Sequence, residues 1–237
     1  MQSASFTLEL CCADIHSVQT AECYAVPAIE LCTDLSCGGL SPSLGLIRQS
    51  RKLFSGEMGV LIRPRKGNFC YTPLEQEVML DELAAARDEG ADFLVLGCLL
   101  KDGDLDRTFM ERLIERSNGI PLTFHRAFDF SPQPELLLDR LMDMQIDRIL
   151  SGGGCSRAVD GIENLNTWRA ISGKRMEWVA AGSIDHTQVQ QIVSSTGIRR
   201  IHCALRRKTK QAVQPIQLGS PDEIDNASLK AMLDVKF

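Results

Sequence analysis

Pro121-Leu122-Thr123-Phe124-His125-Arg126-Ala127-Phe128-Asp129 is the stretch from which the fold can be read. An apolar, β-favouring run stops at an imidazole and a guanidinium, and a carboxylate follows three residues later. Next comes Ser131-Pro132-Gln133-Pro134, where Ser131 suits a helix cap and Pro132 the first helical position. The charged groups therefore stand where a strand hands over to a loop before a helix. In α/β proteins ligands bind along that edge. Taken alone, His125 and Arg126 read equally well as ordinary strand-end residues, with Arg126 in a structural ion pair. The same handover recurs along the chain, and the recurrence points to a repeated unit.

Working outward, strands are expected at Phe6 to Cys12, Ala28 to Cys32, Met58 to Arg63, Asp92 to Gly97, Pro121 to Arg126, Arg148 to Leu150, Met176 to Ala180 and Arg199 to Ala204. Helical patterns fill the intervals, from Asp14 to about Ala25, Ser41 to Phe54, Leu74 to Glu89, Asp106 to Ser117, Pro132 to Met144, Val159 to Ile171 and Asp185 to Ser195. Gly90 and Asn118-Gly119 are helix stops. Strand and helix alternate in units of roughly 30 residues, a pitch that implies parallel strands. Eight strands predict a single-domain (β/α)8 TIM barrel over residues 1–205, with a doubly wound open sheet as the fallback. Residues 206–237 are expected to be an irregular tail, packed on or near the barrel, with a short helix close to its end.

The chain of 237 residues suits such a barrel and is ample for a large core. A formal net charge of -5 argues against nucleic acid as the main partner. No apolar run approaches a membrane span, and the N-terminus lacks a signal-peptide pattern, so a cytoplasmic protein is expected. Nine cysteines, with Cys11, Cys12, Cys32, Cys98 and Cys203 inside apolar strand-like runs, fit reduced buried thiols better than a disulfide framework.

Glu9-Leu10-Cys11 and Glu30-Leu31-Cys32 end the first two strands alike. Residues two apart in a strand share a face, so Glu9 goes with Cys11 and Glu30 with Cys32. Inward-facing pairs near a barrel mouth are favoured, because a carboxylate under helices needs a buried partner. Arg63 and Arg65 follow from strand three, His125, Arg126 and Asp129 from strand five, and His202 from strand eight. Glu9, Glu30, Arg63, His125 and His202 are then expected to converge at one mouth. Such a cluster is either a satisfied buried ion network or a site for acid-base work. In the second case Glu9, Glu30 and His125 are the candidate acid-base groups, and Arg63, Arg65, Arg126, Asp129, His202 and Gly182 the candidate ligand-binding groups. Cys11 and Cys32, on adjacent strands, can offer two soft sulfurs to one Cu(I), or be no more than small buried hydrophobes. The amides of Ser151-Gly152-Gly153-Gly154 and Gly182-Ser183 can cradle a phosphate or carboxylate, or simply make short turns. The cluster Arg199, Arg200, Arg206, Arg207, Lys208 and Lys210 reads as an anion-steering patch or as a solvated surface.

Over nearly its whole length the chain resembles the CutC family of copper-homeostasis proteins. The segments that carry the likeness are Glu9-Leu10-Cys11, Ile29-Glu30-Leu31-Cys32, Gly38-Gly39-Leu40-Ser41-Pro42-Ser43, Ile62-Arg63-Pro64-Arg65, Asn68-Phe69-Cys70-Tyr71, Thr123-Phe124-His125-Arg126-Ala127-Phe128-Asp129 and His202-Cys203. The resemblance implies a cytoplasmic TIM barrel that is a homo-oligomer, dimer or tetramer, linked to copper tolerance. It also implies Cu(I) at the positions of Cys11 and Cys32, and no settled reaction. The chain departs from the family pattern at Ala25-Val26-Pro27-Ala28, at Arg65-Lys66-Gly67, at Ala181-Gly182-Ser183 and at Ala204. Two functions follow as expectations: a copper-homeostasis protein binding Cu(I), or an enzyme acting on a small anionic metabolite through the mouth groups.

Overall fold

The computed structural model describes residues 6–208 and 222–237. Eight parallel strands close into a barrel in sequence order, β1 pairing with both β2 and β8. They are β1 (Thr7–Cys12), β2 (Ala28–Leu31), β3 (Glu57–Leu61), β4 (Phe93–Leu96), β5 (Leu122–Phe124), β6 (Arg148–Ser151), β7 (Glu177–Ala181) and β8 (Arg200–Cys203). Seven helices intervene: α1 (Ile15–Cys23), α2 (Leu44–Leu53), α3 (Pro73–Asp88), α4 (Arg107–Ser117), α5 (Pro134–Asp143), α6 (Ile162–Ser172) and α7 (Val189–Thr196). The expected TIM barrel is the fold.

Strand parity organises the core. Leu8, Leu10, Ile29, Leu31, Met58, Val60, Leu94, Leu96, Phe124, Ile149, Trp178 and Ile201 point outward and pack with the helices in one large cluster. The residues between them point inward, so both strand faces are buried and the strands read as near-continuous apolar runs. Inside the barrel, Cys11, Cys32, Leu61, Phe93 and Val95 form one apolar group, and Leu150, Val179 and Ala181 a second. The Phe93 ring fits only because residue 59 is glycine: a Cβ there would lie 2.0 Å from the ring.

Local signals explain most boundaries. Asp14 caps α1, and Thr72 with Glu75 forms a capping box on α3 behind Pro73. Four helices begin later than expected, α6 among them, which opens at Ile162 behind a 3-10 turn and not at Val159. Ser43, not Ser41, caps α2, and Pro134, not Pro132, opens α5 with no side-chain cap. α7 opens only at Val189, not at Asp185. The strand expected to run through Arg126 stops at Phe124, because the Nδ1 atom of His125 accepts the Ala127 amide and turns the chain into a short 3-10 helix, Arg126–Phe130.

Beyond β8 the expected short helix is present as α8 (Asn226–Leu233), and two strands join it, β9 (Arg206–Lys208) and β10 (Asp222–Ile224), paired antiparallel. Arg206 ties this hairpin to the start of α1, bonding Asp14 at 3.0 Å and Asp222 at 2.7 Å. Among the described residues no helix is long and apolar enough to cross a membrane.

Candidate functional site

A cavity of about 940 Å3 opens at the carboxyl ends of the strands. Cys11, Glu30, Arg63, His125, Arg126, Gly182 and His202 all line it. Both Glu-x-Cys pairs therefore look inward, as expected. Glu9 does not reach the mouth. It is 1% exposed and lies beneath His202, where its Oε1 meets His202 Nδ1 at 3.1 Å.

Glu9 belongs instead to a layer of charge near the opposite end of the barrel. Its Oε2 lies 3.3 Å from Arg200 Nη1 and 3.8 Å from Arg148 Nη1. Arg200 also pairs Glu57 at 2.9 Å and Glu177 at 3.2 Å. Arg148 rests over the Phe93 ring at 3.7 Å and donates to Thr123 Oγ1 at 2.9 Å. Glu9 is thus held inside a buried ion network. Sequence reading missed Arg148, although a signal exists: β3, β6, β7 and β8 each open with a charged residue of inward parity.

Above that layer the titratable groups are tuned by neighbours. Burial alone would raise the Glu9 carboxyl, but the His202 hydrogen bond and the charges of His202, Arg148 and Arg200 hold it below the usual range. His202 is held above its usual value, the charge of Glu30 and the bond to Glu9 outweighing burial. Glu30 is raised, chiefly by burial. Its Oε1 lies 4.0 Å from His202 Nε2 and 3.9 Å from Cys11 Sγ. The Cys11 and Cys32 sulfurs are 3.5 Å apart, and Cys11 is raised well above a free thiol by its bond to Cys32 and by burial. Cys11, Glu30 and His202 each place a ligand atom within 4.8 Å of the others. All nine cysteines are free, and the five expected to be buried are buried.

The remaining candidates divide. Arg126 and Asp129 form an ion pair, Nε to Oδ2 at 2.7 Å. Asp129 then fills the turn after β6. It accepts from Ser151 Oγ at 2.5 Å, from the Gly152 amide at 2.9 Å and from the Gly154 amide at 3.0 Å. The Gly153 amide goes to Ser151 Oγ. The anion cradle expected at this turn is therefore occupied by the chain's own carboxylate. Arg63 gives its guanidinium to the carbonyls of Cys37, Gly39 and Gly67, each at 2.9 Å. Arg65 leaves the mouth to pair with Glu75 and to lie over Tyr71. His125 packs 4.7 Å from Phe69 and closely against Gly97, where a Cβ would come within 2.5 Å of its ring. Burial and the Arg63 charge lower the His125 pKa to about 3, so its ring is neutral. Three members of the basic cluster are paired: Arg200 with three glutamates, Arg206 with Asp14 and Asp222, Arg207 with Glu223. Lys210 lies outside the described residues.

Comparison with known proteins places the chain. The family model described as the CutC family matches residues 6–207. A family protein CutC of Glaesserella parasuis serovar 5 (strain SH0165) is 32% identical over 228 residues, covering 96% of this chain and 93% of the relative. The Homo sapiens copper homeostasis protein cutC homolog is 33% identical over 201 residues, covering 85% and 74%. The crystal structure of CutC from Streptococcus agalactiae superposes with a TM-score of 0.80 at 28% identity, covering 83% of this chain and 97% of that one. A deoxyribose phosphate aldolase from Aeropyrum pernix, with a TM-score of 0.63 at 15% identity over 85% and 86% of the two chains, shares the fold alone. With a family match over most of its length and relatives a third identical across most of theirs, this protein belongs to the CutC family.

Proposed function

We propose that this protein takes part in copper homeostasis in the cytoplasm by binding one Cu(I) ion between Cys11 and Cys32. The observation that carries the reading is the pair of sulfurs 3.5 Å apart on neighbouring strands of a single chain. Thiolate is a soft donor and suits Cu(I). Cys11 borders the cavity, which gives an ion a route from solvent. The bond between His202 Nδ1 and Glu9 leaves Nε2 free to act as a third donor, the usual way a carboxylate orients a ligating imidazole. Burial raises the pKa of Glu30, which works against a further negative charge beside two thiolates. Ion binding must then displace protons from both sulfurs. The copper-homeostasis names carried by relatives such as the Homo sapiens homolog support the same reading. It carries with it a homo-oligomer, dimer or tetramer, for which the exposed Leu74 and Val78, one turn apart on α3, offer an apolar patch. Light scattering measures that state. Competition between the protein and a Cu(I) chelator tests the metal. The Cys11→Ser/Cys32→Ser double variant should lose high-affinity binding, and an unchanged affinity would remove the site.

A second reading is favoured by one observation, the open cavity itself. A mouth filled by its own side chains would speak against an enzyme, and this one holds about 940 Å3 of space beside Glu30, His125 and Arg126. In that reading the protein acts on a small anionic metabolite. Thermal-shift screening against carboxylates, phosphates and sugar phosphates tests it: a ligand that binds only the folded state raises the melting temperature. No stabilisation by any of them at millimolar concentration would end that reading.

A further inference from the structure

One half of the mouth is built from Arg63, Phe69, His125, Arg126 and Phe130. It contains two buried donors that nothing in the described protein satisfies. Arg63 is 6% exposed, and its three bonds all go to neutral carbonyls. None of the described carboxylates lies within ion-pair distance of it, and its Nε–H has no partner. His125, also 6% exposed, uses Nδ1 as an acceptor for the Ala127 amide. In a neutral ring the proton is then on Nε2, and Nε2 has no partner among the described residues. A buried donor without an acceptor, and a buried cation without a counter-charge, are both unfavourable. Both are relieved by the same thing, an anion seated in the cavity.

The charge count narrows the class. Of the three basic groups here, Arg126 is paired by Asp129, His125 is neutral, and Arg63 has no carboxylate within ion-pair distance among the described residues. One positive charge matches a monoanion. A phosphate dianion usually takes backbone amides as well, and those of Gly152, Gly153 and Gly154 are already engaged. Phe69 and Phe130 meet edge-on at 5.4 Å, and Phe130 is 68% exposed at the rim. A large aromatic at the rim of a polar pocket offers a flat surface on which an apolar ligand body can pack.

We propose that this half of the mouth binds a small monocarboxylate with a flat apolar body. Its oxygens accept from Arg63 Nε and His125 Nε2, and its body lies against Phe69 and Phe130. The assignment rests on reading the mouth as an anion-binding cavity and adds the ligand class.

Benzoate is the probe and inorganic phosphate the control, each titrated calorimetrically into the full-length, reduced, copper-free protein. Benzoate should bind saturably, and phosphate about tenfold more weakly or not at all. His125→Phe keeps the ring volume but removes the donor, and should weaken benzoate by about tenfold or more, a hydrogen bond to a charged group being lost. His125→Gln, which retains an N–H donor, should recover part of that loss. In protein carrying 15N-histidine, the His125 Nε2 resonance should move with benzoate saturation. Phosphate binding as tightly as benzoate would overturn the ligand class while the anion-cavity reading survives. Binding of neither would end both. Equal benzoate affinity in wild type and His125→Phe would overturn the placement of the site.

Discussion

His125 makes a sharp prediction about pH. Its ring is 6% exposed and is held neutral by burial and by Arg63, with a folded pKa of about 3 against an ordinary value of 6.5. Between those values the unfolded chain binds a proton at this position that the folded chain refuses. Stability from this residue is therefore complete above about pH 6.5 and is lost as the pH falls toward about 3. Moving from pH 7.5 to pH 5.0 costs about 2 kcal/mol, from roughly 1.5 pH units below the unfolded pKa at 1.36 kcal/mol per unit. That figure depends on the unfolded pKa and is insensitive to the folded value, provided the latter stays well below 5. Other groups titrate in the same window, so the measurement is a difference. Urea unfolding of wild type and of His125→Phe at the two pH values should show wild type losing about 2 kcal/mol more than the variant. The 15N shifts of His125 should remain those of a neutral imidazole at pH 5. A His125 titration near 6.5, or equal losses in both proteins, would refute the burial argument.

Two further outcomes follow from packing and charge. Gly59→Ala sets a methyl 2.0 Å from the Phe93 ring inside the barrel, and should destabilise the protein by roughly 1–3 kcal/mol in a denaturant titration, with a wild-type midpoint arguing that Phe93 can move aside. Asp129→Asn puts an amide where the carboxylate accepts from Ser151, Gly152, Gly154 and Arg126. It should lose roughly 2–3 kcal/mol by the same assay, and a variant as stable as wild type would mean the turn after β6 does not depend on that charge.

The alternation of apolar strands and amphipathic helices was enough to place the barrel, because each unit must bury both faces of a short parallel strand. Period two along a strand also told that Glu9 sides with Cys11 and Glu30 with Cys32, and the cost of a carboxylate under helices favoured both pairs turning inward. Parity names a face but not a height or a partner. Glu9 and His202 stand 193 residues apart in sequence, and only the β1–β8 register sets one beneath the other, with Arg148 and Arg200 below both. Arg63, Arg65 and Asp129 were legible as charges at strand ends. Their partners are loop carbonyls, a helix carboxylate and glycine amides, fixed by how the loops fold back, which no local spacing encodes. The chain's own order thus determined which residues gather inside the barrel, since side-chain alternation is a local property. The tertiary structure alone decided which of them are spent on one another and which face the cavity unpaired, since that depends on register, loop path and burial acting together.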